Sequence, residues 1–224
     1  MQFQRHTFYF NLKNTKLHLL LAGIFIALSF CLDAPVRAFV VAHQIPALHE
    51  AARLVSKYGA WQWLMLVCAL LLGFAAWRGN MDWKRLIITL MLVSSIAGLL
   101  ADATRNLTGR PRPNSGIAPG WYGAWHDGHW LVGDSRYNAF PSGHTAAATG
   151  LVAPLFFLRR RMRWLLAGIP MAIAGSRIYL GAHNLSDVVT SVCLAFAVAA
   201  LWFRYGCGWT TALRKCRPPS VLPD

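Results

Sequence analysis

Charged side chains are scarce in this chain, and five of them, with two histidines, fall in three short runs. The first extends from Arg105 to Pro113 and holds Arg105, Arg110 and Arg112. The second is Pro141-Ser142-Gly143-His144. The third is Ser176-Arg177, followed after five residues by His183 and after three more by Asp187. Arg105, Arg112 and Arg177 are permanently charged planar donors, and a guanidinium meets the oxygens of a phosphate two at a time. Three of them converging would stabilise the charge that builds up on a phosphoryl group in transfer. Ser142 and Gly143 open an apolar stretch. A helix beginning there would offer free N–H groups and the positive end of its dipole to an anion, with Gly143 allowing close backbone approach. His183 and Asp187 are four apart, a spacing that brings a carboxylate to an imidazole on one helix face or across a first turn. Such a carboxylate would hold the ring's tautomer and stabilise the charge formed when its other nitrogen attacks.

Taken singly, each run has a plainer reading. Arg105 could anchor a helix end in a headgroup layer, Ser142 could be an ordinary helix cap, and His183 with Asp187 could be a polar pair at an interface. Arg177 is harder to explain that way, because it interrupts an apolar stretch from Trp164 to Ala182, where a charge is costly and tends to mark function. The other histidines, His6, His18, His43, His49, His126 and His129, have no comparable setting and read as surface or interface residues.

Together and in this order, the runs resemble the type 2 phosphatidic acid phosphatase family, which shares its site with the vanadium haloperoxidases. The family pattern is Lys, six residues, Arg-Pro; then Pro-Ser-Gly-His; then Ser-Arg, five residues, His, three residues, Asp. The second and third elements match in full. The first matches in spacing but carries Arg105 where the family has lysine, which keeps the charge and changes its shape. That departure bears on efficiency and substrate range more than on reaction type. The resemblance implies that His183 is the nucleophile and forms a phosphohistidine, that Asp187 orients it, and that His144 protonates the leaving oxygen and then helps activate water. It further implies that Arg105, Arg112, Ser142, Gly143 and Arg177 hold the phosphate. No metal and no cofactor are implied, since the arginines supply the positive charge that Mg²⁺ gives elsewhere.

These residues must be positioned by apolar elements. The chain has 224 residues, 56% of them hydrophobic and 13% charged, against about 25% charged in soluble domains. A hydrocarbon core about 30 Å thick takes roughly 20 helical residues to cross. Six stretches qualify approximately, Leu17–Leu32, Trp61–Trp77, Leu86–Ala103, Pro141–Leu158, Trp164–Ala182 and Val188–Phe203. They do not alternate as barrel strands would, so helices are the workable reading. The expected fold is an all-α polytopic membrane bundle of six transmembrane helices. It forms one domain over residues 1–224, with a motif-bearing core at about 86–203 and basic tails at 1–16 and 204–224. The first stretch also admits reading as a cleaved signal peptide, with Val36-Arg37-Ala38 as the site. A long leading segment and the crowding of Asp33, Pro35 and Arg37 argue for a retained span.

The net charge of +14 would suggest nucleic acid in a soluble protein. Here the basic residues lie between apolar runs, so a bilayer is the expected partner and nucleic acid is not. Fourteen of the 22 lysines and arginines fall on one side of the six-span layout: Arg5, Lys13, Lys16, Arg78, Lys84, Arg85, Arg159, Arg160, Arg161, Arg163, Arg204, Arg214, Lys215 and Arg217. The excess of positive charge in cytoplasmic loops then places both termini inside and the three motifs at the outer face, as in a bacterial inner membrane protein. Cys31, Cys68, Cys193, Cys207 and Cys216 show no paired spacing and read as structural thiols. The long segment from Thr104 to Phe140 is expected to be functional. Its Trp121, Tyr122, Trp125 and Trp130 suit the headgroup zone. The expected substrate is a membrane lipid phosphate: undecaprenyl diphosphate, phosphatidylglycerol phosphate, phosphatidic acid or the phosphate of lipid A. Arg110 and Arg136 are expected near a second phosphate, which favours a diphosphate. Two rival readings are a haloperoxidase with vanadate in the same pocket and a phospholipid-binding protein with a silent site. Six spans oppose the first, and the intact His144, His183 and Asp187 oppose the second.

Overall fold

The computed structural model describes residues 15–158 and 162–205. Residues 1–14 and 206–224, most of the expected basic tails and with them Cys207 and Cys216, lie outside the described residues, as do Arg159, Arg160 and Arg161, while Lys16 and Arg204 lie on helices. Eight helices follow one another: α1 (Thr15–Ala42), α2 (Pro46–Tyr58), α3 (Trp61–Trp77), α4 (Met81–Thr108), α5 (Gly143–Phe157), α6 (Met162–Leu166), α7 (Gly168–Tyr179) and α8 (Leu185–Tyr205). Between α4 and α5 lies a two-stranded hairpin, β1 (Trp125–His126) with β2 (His129–Trp130), paired antiparallel. It turns at Asp127-Gly128, both with positive φ, as the tightest hairpin turns require. The all-α expectation therefore holds except for this hairpin.

The helix ends follow from local chemistry. Asn80 caps α4, its side chain accepting from the Trp83 N–H at 3.0 Å. Gly109 ends α4 with φ 58°, the left-handed conformation that a glycine terminator supplies. Pro46 stands at the start of α2, where its missing N–H costs nothing. Ser142 caps α5.

Each of the six apolar stretches lies on a helix or helix pair, but their lengths differ from the expectation. By length and composition α1, α4 and α8 are each long and apolar enough to cross a membrane, and the pair α2 and α3, bent by 56° at the break, makes a fourth if taken as one span. The stretch from Pro141 gives the 15 residues of α5, about 22 Å at the helical rise per residue, short of a hydrocarbon core. The stretch from Trp164 to Ala182 is divided at Ala167 into α6 and α7 and ends early, because Gly181 takes a positive φ. Helix α2 was not anticipated: its sequence is amphipathic rather than uniformly apolar.

The core is formed by α4, α5 and α8, through Val93, Ala97 and Ala101 on α4, Ala146 and Ala153 on α5, and Ala195, Val198 and Ala199 on α8. These are almost all small side chains. Where lipid tails are as apolar as the protein interior, helices associate by close backbone packing, which small residues permit. A buried hydroxyl adds to it: Ser94 donates to the Ala147 carbonyl at 2.8 Å. The large apolar side chains face outwards instead, as at Leu19, Leu70, Leu99 and Leu165. In water such a surface would be anomalous; against lipid it is the expected one. Helix α1 packs on α8, and α2 on α7.

Candidate active site

The C-terminal ends of α4 and α7 and the N-terminal ends of α5 and α8 meet at one end of this bundle. The Thr108 hydroxyl donates to the Phe140 carbonyl at 2.8 Å, the Asn114 N–H to the Gly181 carbonyl at 3.0 Å, and the Ser142 N–H to the Asp187 carbonyl at 3.3 Å. The Ser191 hydroxyl closes the ring by donating to the Ser142 carbonyl at 2.9 Å. Hydrogen bonds from backbone N–H groups and side-chain hydroxyls to backbone carbonyls thus draw three motifs separated by up to about eighty residues of sequence into one place.

His183 lies in the short turn between α7 and α8 and is 2% exposed; Asp187, in the first turn of α8, is 0% exposed. The acceptor for the imidazole is the Ala139 carbonyl, 2.6 Å from Nδ1. Asp187 Oδ2 stands farther off, 3.7 Å from the same nitrogen, and accepts the Asn184 N–H at 2.6 Å. With the Nδ1 proton given to a carbonyl, Nε2 carries the lone pair. Burial pushes His183 below its ordinary pKa of 6.5. Asp187 acts against that, and the Arg177 and Arg112 charges act with it.

Arg112 and Arg177 lie within electrostatic reach of this ring. Gly143 lies beside Arg105: a Cβ there would come within 3.2 Å of Arg105 Nη1, so the glycine leaves the guanidinium room at the start of α5. Arg105 also pairs with Asp102 one turn back. Arg112 donates from Nε to Asn138 Oδ1 at 3.0 Å. Burial, then the Arg105 charge, pushes Arg112 below the usual guanidinium range. Arg177 Nη1 donates to the Ser56 hydroxyl of α2 at 2.6 Å. The buried Nε atoms of Arg105 and Arg177 have no hydrogen-bond partner. His144, half-buried on the first turn of α5, lies within electrostatic reach of Arg177, His183, Arg105 and Arg112. All eight residues singled out in the sequence, His183, His144, Asp187, Arg105, Arg112, Ser142, Gly143 and Arg177, therefore gather at this end of the bundle. Among the described residues no group of three or more His, Cys, Asp or Glu side chains is arranged to hold a metal ion.

Two arginines depart from expectation. Arg110 is not free to meet a second phosphate: it points inward and is held by Asp187, Ser186 and Asp33. Arg136 stands at the surface in an ion pair with Asp134 at 2.7 Å. The argument for a diphosphate from these two residues thus loses its basis. Sequence reasoning also missed Asp33, Ala139, Asn138 and Ser56. Only Asp33 carried a signal, an acid inside an otherwise apolar run.

A helical membrane bundle with three arginines and two histidines gathered at one end defines the class. The PAP2 superfamily model matches residues 84–209, more than half of the chain, and the chain belongs to that superfamily. It is 28% identical over 141 residues to the undecaprenyl-diphosphatase BcrC of Bacillus subtilis, covering 62% of this chain and 68% of that protein. It is 26% identical over 179 residues to a lipid A 1-phosphatase of Rhizobium etli, covering 75% and 74%. Among solved structures it resembles a transmembrane PAP2-type phosphatidylglycerolphosphate phosphatase from Bacillus subtilis, with a TM-score of 0.61, 22% identity, and 89% of this chain and 97% of that one covered. It also resembles LpxE of Aquifex aeolicus, with a TM-score of 0.55, 20% identity and coverage of 78% and 96%. The curated relatives named here are phosphatases, in keeping with the arginine-rich site.

Proposed function

We propose that this chain is an integral membrane phosphatase that removes phosphate from a lipid phosphomonoester or diphosphate through a phosphohistidine on His183. The observation that carries the reading is the His183 ring, whose Nδ1 is committed to the Ala139 carbonyl while Arg112, Arg177 and His144 lie within electrostatic reach of it. In the first step Nε2 bonds to phosphorus as the bond to the lipid oxygen breaks, and His144 gives that oxygen its proton. In the second, a water gives its proton to His144 and attacks phosphorus, the N–P bond breaks and inorganic phosphate leaves. The unpartnered Nε groups of Arg105 and Arg177 and the free N–H groups opening α5 are suited to the phosphate oxygens. No step calls on a metal. Two observations support a lipid substrate: relatives act on undecaprenyl diphosphate and on the 1-phosphate of lipid A by their names, and an apolar bundle suits a site that meets lipids.

In this reading α5 and the α6–α7 pair also cross the bilayer as parts of six crossings, with the flanking segments completing their length. The termini face the cytoplasm and the site faces outwards, at the inner membrane of a bacterium, as the distribution of lysine and arginine supports. The test is rapid-quench labelling of the detergent-solubilised protein with ³²P-labelled lipids, alongside phosphate release over a panel of undecaprenyl diphosphate, phosphatidylglycerol phosphate, phosphatidic acid and lipid A. Label is expected on His183, and His183→Ala is expected to abolish both label and turnover. Label on another residue, or near-normal turnover in His183→Ala, sinks the mechanism. Binding without phosphate release from any lipid of the panel would instead favour a phospholipid-binding protein.

A further inference from the structure

Helix α1 lies outside the region matched by the family, yet one of its side chains reaches the site. Asp33 is flanked by apolar residues of α1, and its side chain is 13% exposed. Its Oδ1 accepts the Ser186 N–H at 2.8 Å, and its Oδ2 accepts the Ser186 hydroxyl at 2.6 Å. Asp33 therefore caps the first turn of α8 from a different helix, satisfying an N–H that the helix itself leaves orphaned. The same Oδ2 takes Arg110 Nη2 at 2.7 Å. The other end of that guanidinium, Nη1, donates to Asp187 Oδ1 at 2.5 Å and to the Ser186 hydroxyl at 2.7 Å. Phe30, Trp121 and Phe140 surround Arg110, with ring centroids at 5.1, 5.1 and 5.8 Å.

The consequence for the nucleophile follows atom by atom. With Oδ1 of Asp187 held by Arg110, Oδ2 is turned to the N–H of Asn184, the residue after His183, and stands 3.7 Å from His183 Nδ1. We propose that Asp33 and Arg110 are positioning residues that act as one unit, fixing Asp187 and the first turn of α8 and, through them, the His183 turn. The inference rests on the reading of His183 as nucleophile. Two carboxylates and a guanidinium withdrawn from water are costly, and such groups contribute little or nothing to stability beyond what apolar residues of the same volume would give. Placement is the benefit that remains: displacing a reacting group by about 1 Å can cost about a hundredfold in rate.

The test uses the full chain in detergent, with dioctanoyl phosphatidic acid as the probe substrate and hydrogen–deuterium exchange as a readout independent of turnover. Asp33→Asn and Arg110→Lys keep size and polarity, so each is expected to fold. Each is expected to lower kcat by about tenfold to a hundredfold with KM within about threefold. The double variant is expected to fall within about twofold of the poorer single one, as for residues acting as a unit. Amides of residues 184–188 are expected to exchange at least about tenfold faster in each variant, with α4 and α5 unchanged. The proposal is overturned if both variants keep kcat within about twofold, if the loss lies in KM alone, if the two losses multiply, or if exchange at residues 184–188 is unaltered. Failure of the wild type to release phosphate counts against the reading under Proposed function, while the exchange comparison still decides the role of the pair.

Discussion

At the scale of single residues, the proposed chemistry depends on His183 being neutral when it attacks. Burial is the largest influence on that ring and lowers its pKa from 6.5, with Asp187 opposing. A nucleophile with a lowered pKa stays unprotonated to lower pH, so activity held at neutral pH should be lost only below about 6.5. The acid limb of kcat/KM is therefore expected on the acid side of 6.5; a limb centred above it would mean that Asp187, not burial, governs the ring. Coupling within the cluster makes that limb a property of the group of residues rather than of one. Arg105 gives a second test, since it replaces the lysine of the family pattern and is partly engaged by Asp102. Arg105→Ala should lower kcat by about a hundredfold to a thousandfold, as for loss of one preorganised donor to a developing charge. Arg105→Lys should recover most of that loss, because a point charge suffices where one oxygen is met. Equal losses in the two variants would show that the planar fork itself is needed.

At the scale of elements, the site is only as rigid as the contact between α4 and α5, because the two helices carry Arg105 and His144. Their approach is set by Gly150, where a Cβ would meet Ser94 Cα at 2.9 Å, the Val93 carbonyl at 3.0 Å and Ala97 Cβ at 3.2 Å. The first two are backbone atoms that cannot swing aside. Gly150→Val is therefore expected to destabilise the fold by about 1–3 kcal/mol, read as a lower thermal midpoint in detergent. An unchanged midpoint would mean that α5 can shift along α4 without cost. The helical character of these elements was legible in their apolar composition, and the start of α5 in Pro141 and Ser142. The shortness of α7 was less so, since it depends on the backbone conformation of Gly181.

At the scale of the whole molecule, orientation is the claim with most consequence, because it decides which leaflet supplies the lipid. In a background with Cys31, Cys68, Cys193, Cys207 and Cys216 replaced, Gly116→Cys should react with an impermeant thiol reagent in intact cells. Arg78→Cys, in the turn between α3 and α4, should react only after permeabilisation. Labelling of position 78 from outside would reverse the topology and place the site in the cytoplasm, with a different pool of phosphorylated lipids.

Much of the candidate site could be read without coordinates. Arginine, histidine and aspartate have few reasons to sit in an apolar chain, so their types, order and spacing identified the eight residues that the fold brings to one end of the bundle. Spacing cannot state which atoms meet. Asp187 looked like the acceptor for His183 because the two are four apart, yet α8 begins at Leu185, His183 precedes it, and the ring turns to the Ala139 carbonyl. A backbone acceptor has no signature in sequence, since every residue carries one. Arg110 was visible as a cation beside the motif, but whether it faced a phosphate or a carboxylate depended on α1 packing against α8 and bringing Asp33 to it across 77 residues. The sequence by itself determined the membrane setting and which polar and charged side chains make up the candidate site, because composition and side-chain chemistry are local. The tertiary structure decided the pairing of charges, because a charge withdrawn from water takes whichever partner the folded helices place beside it.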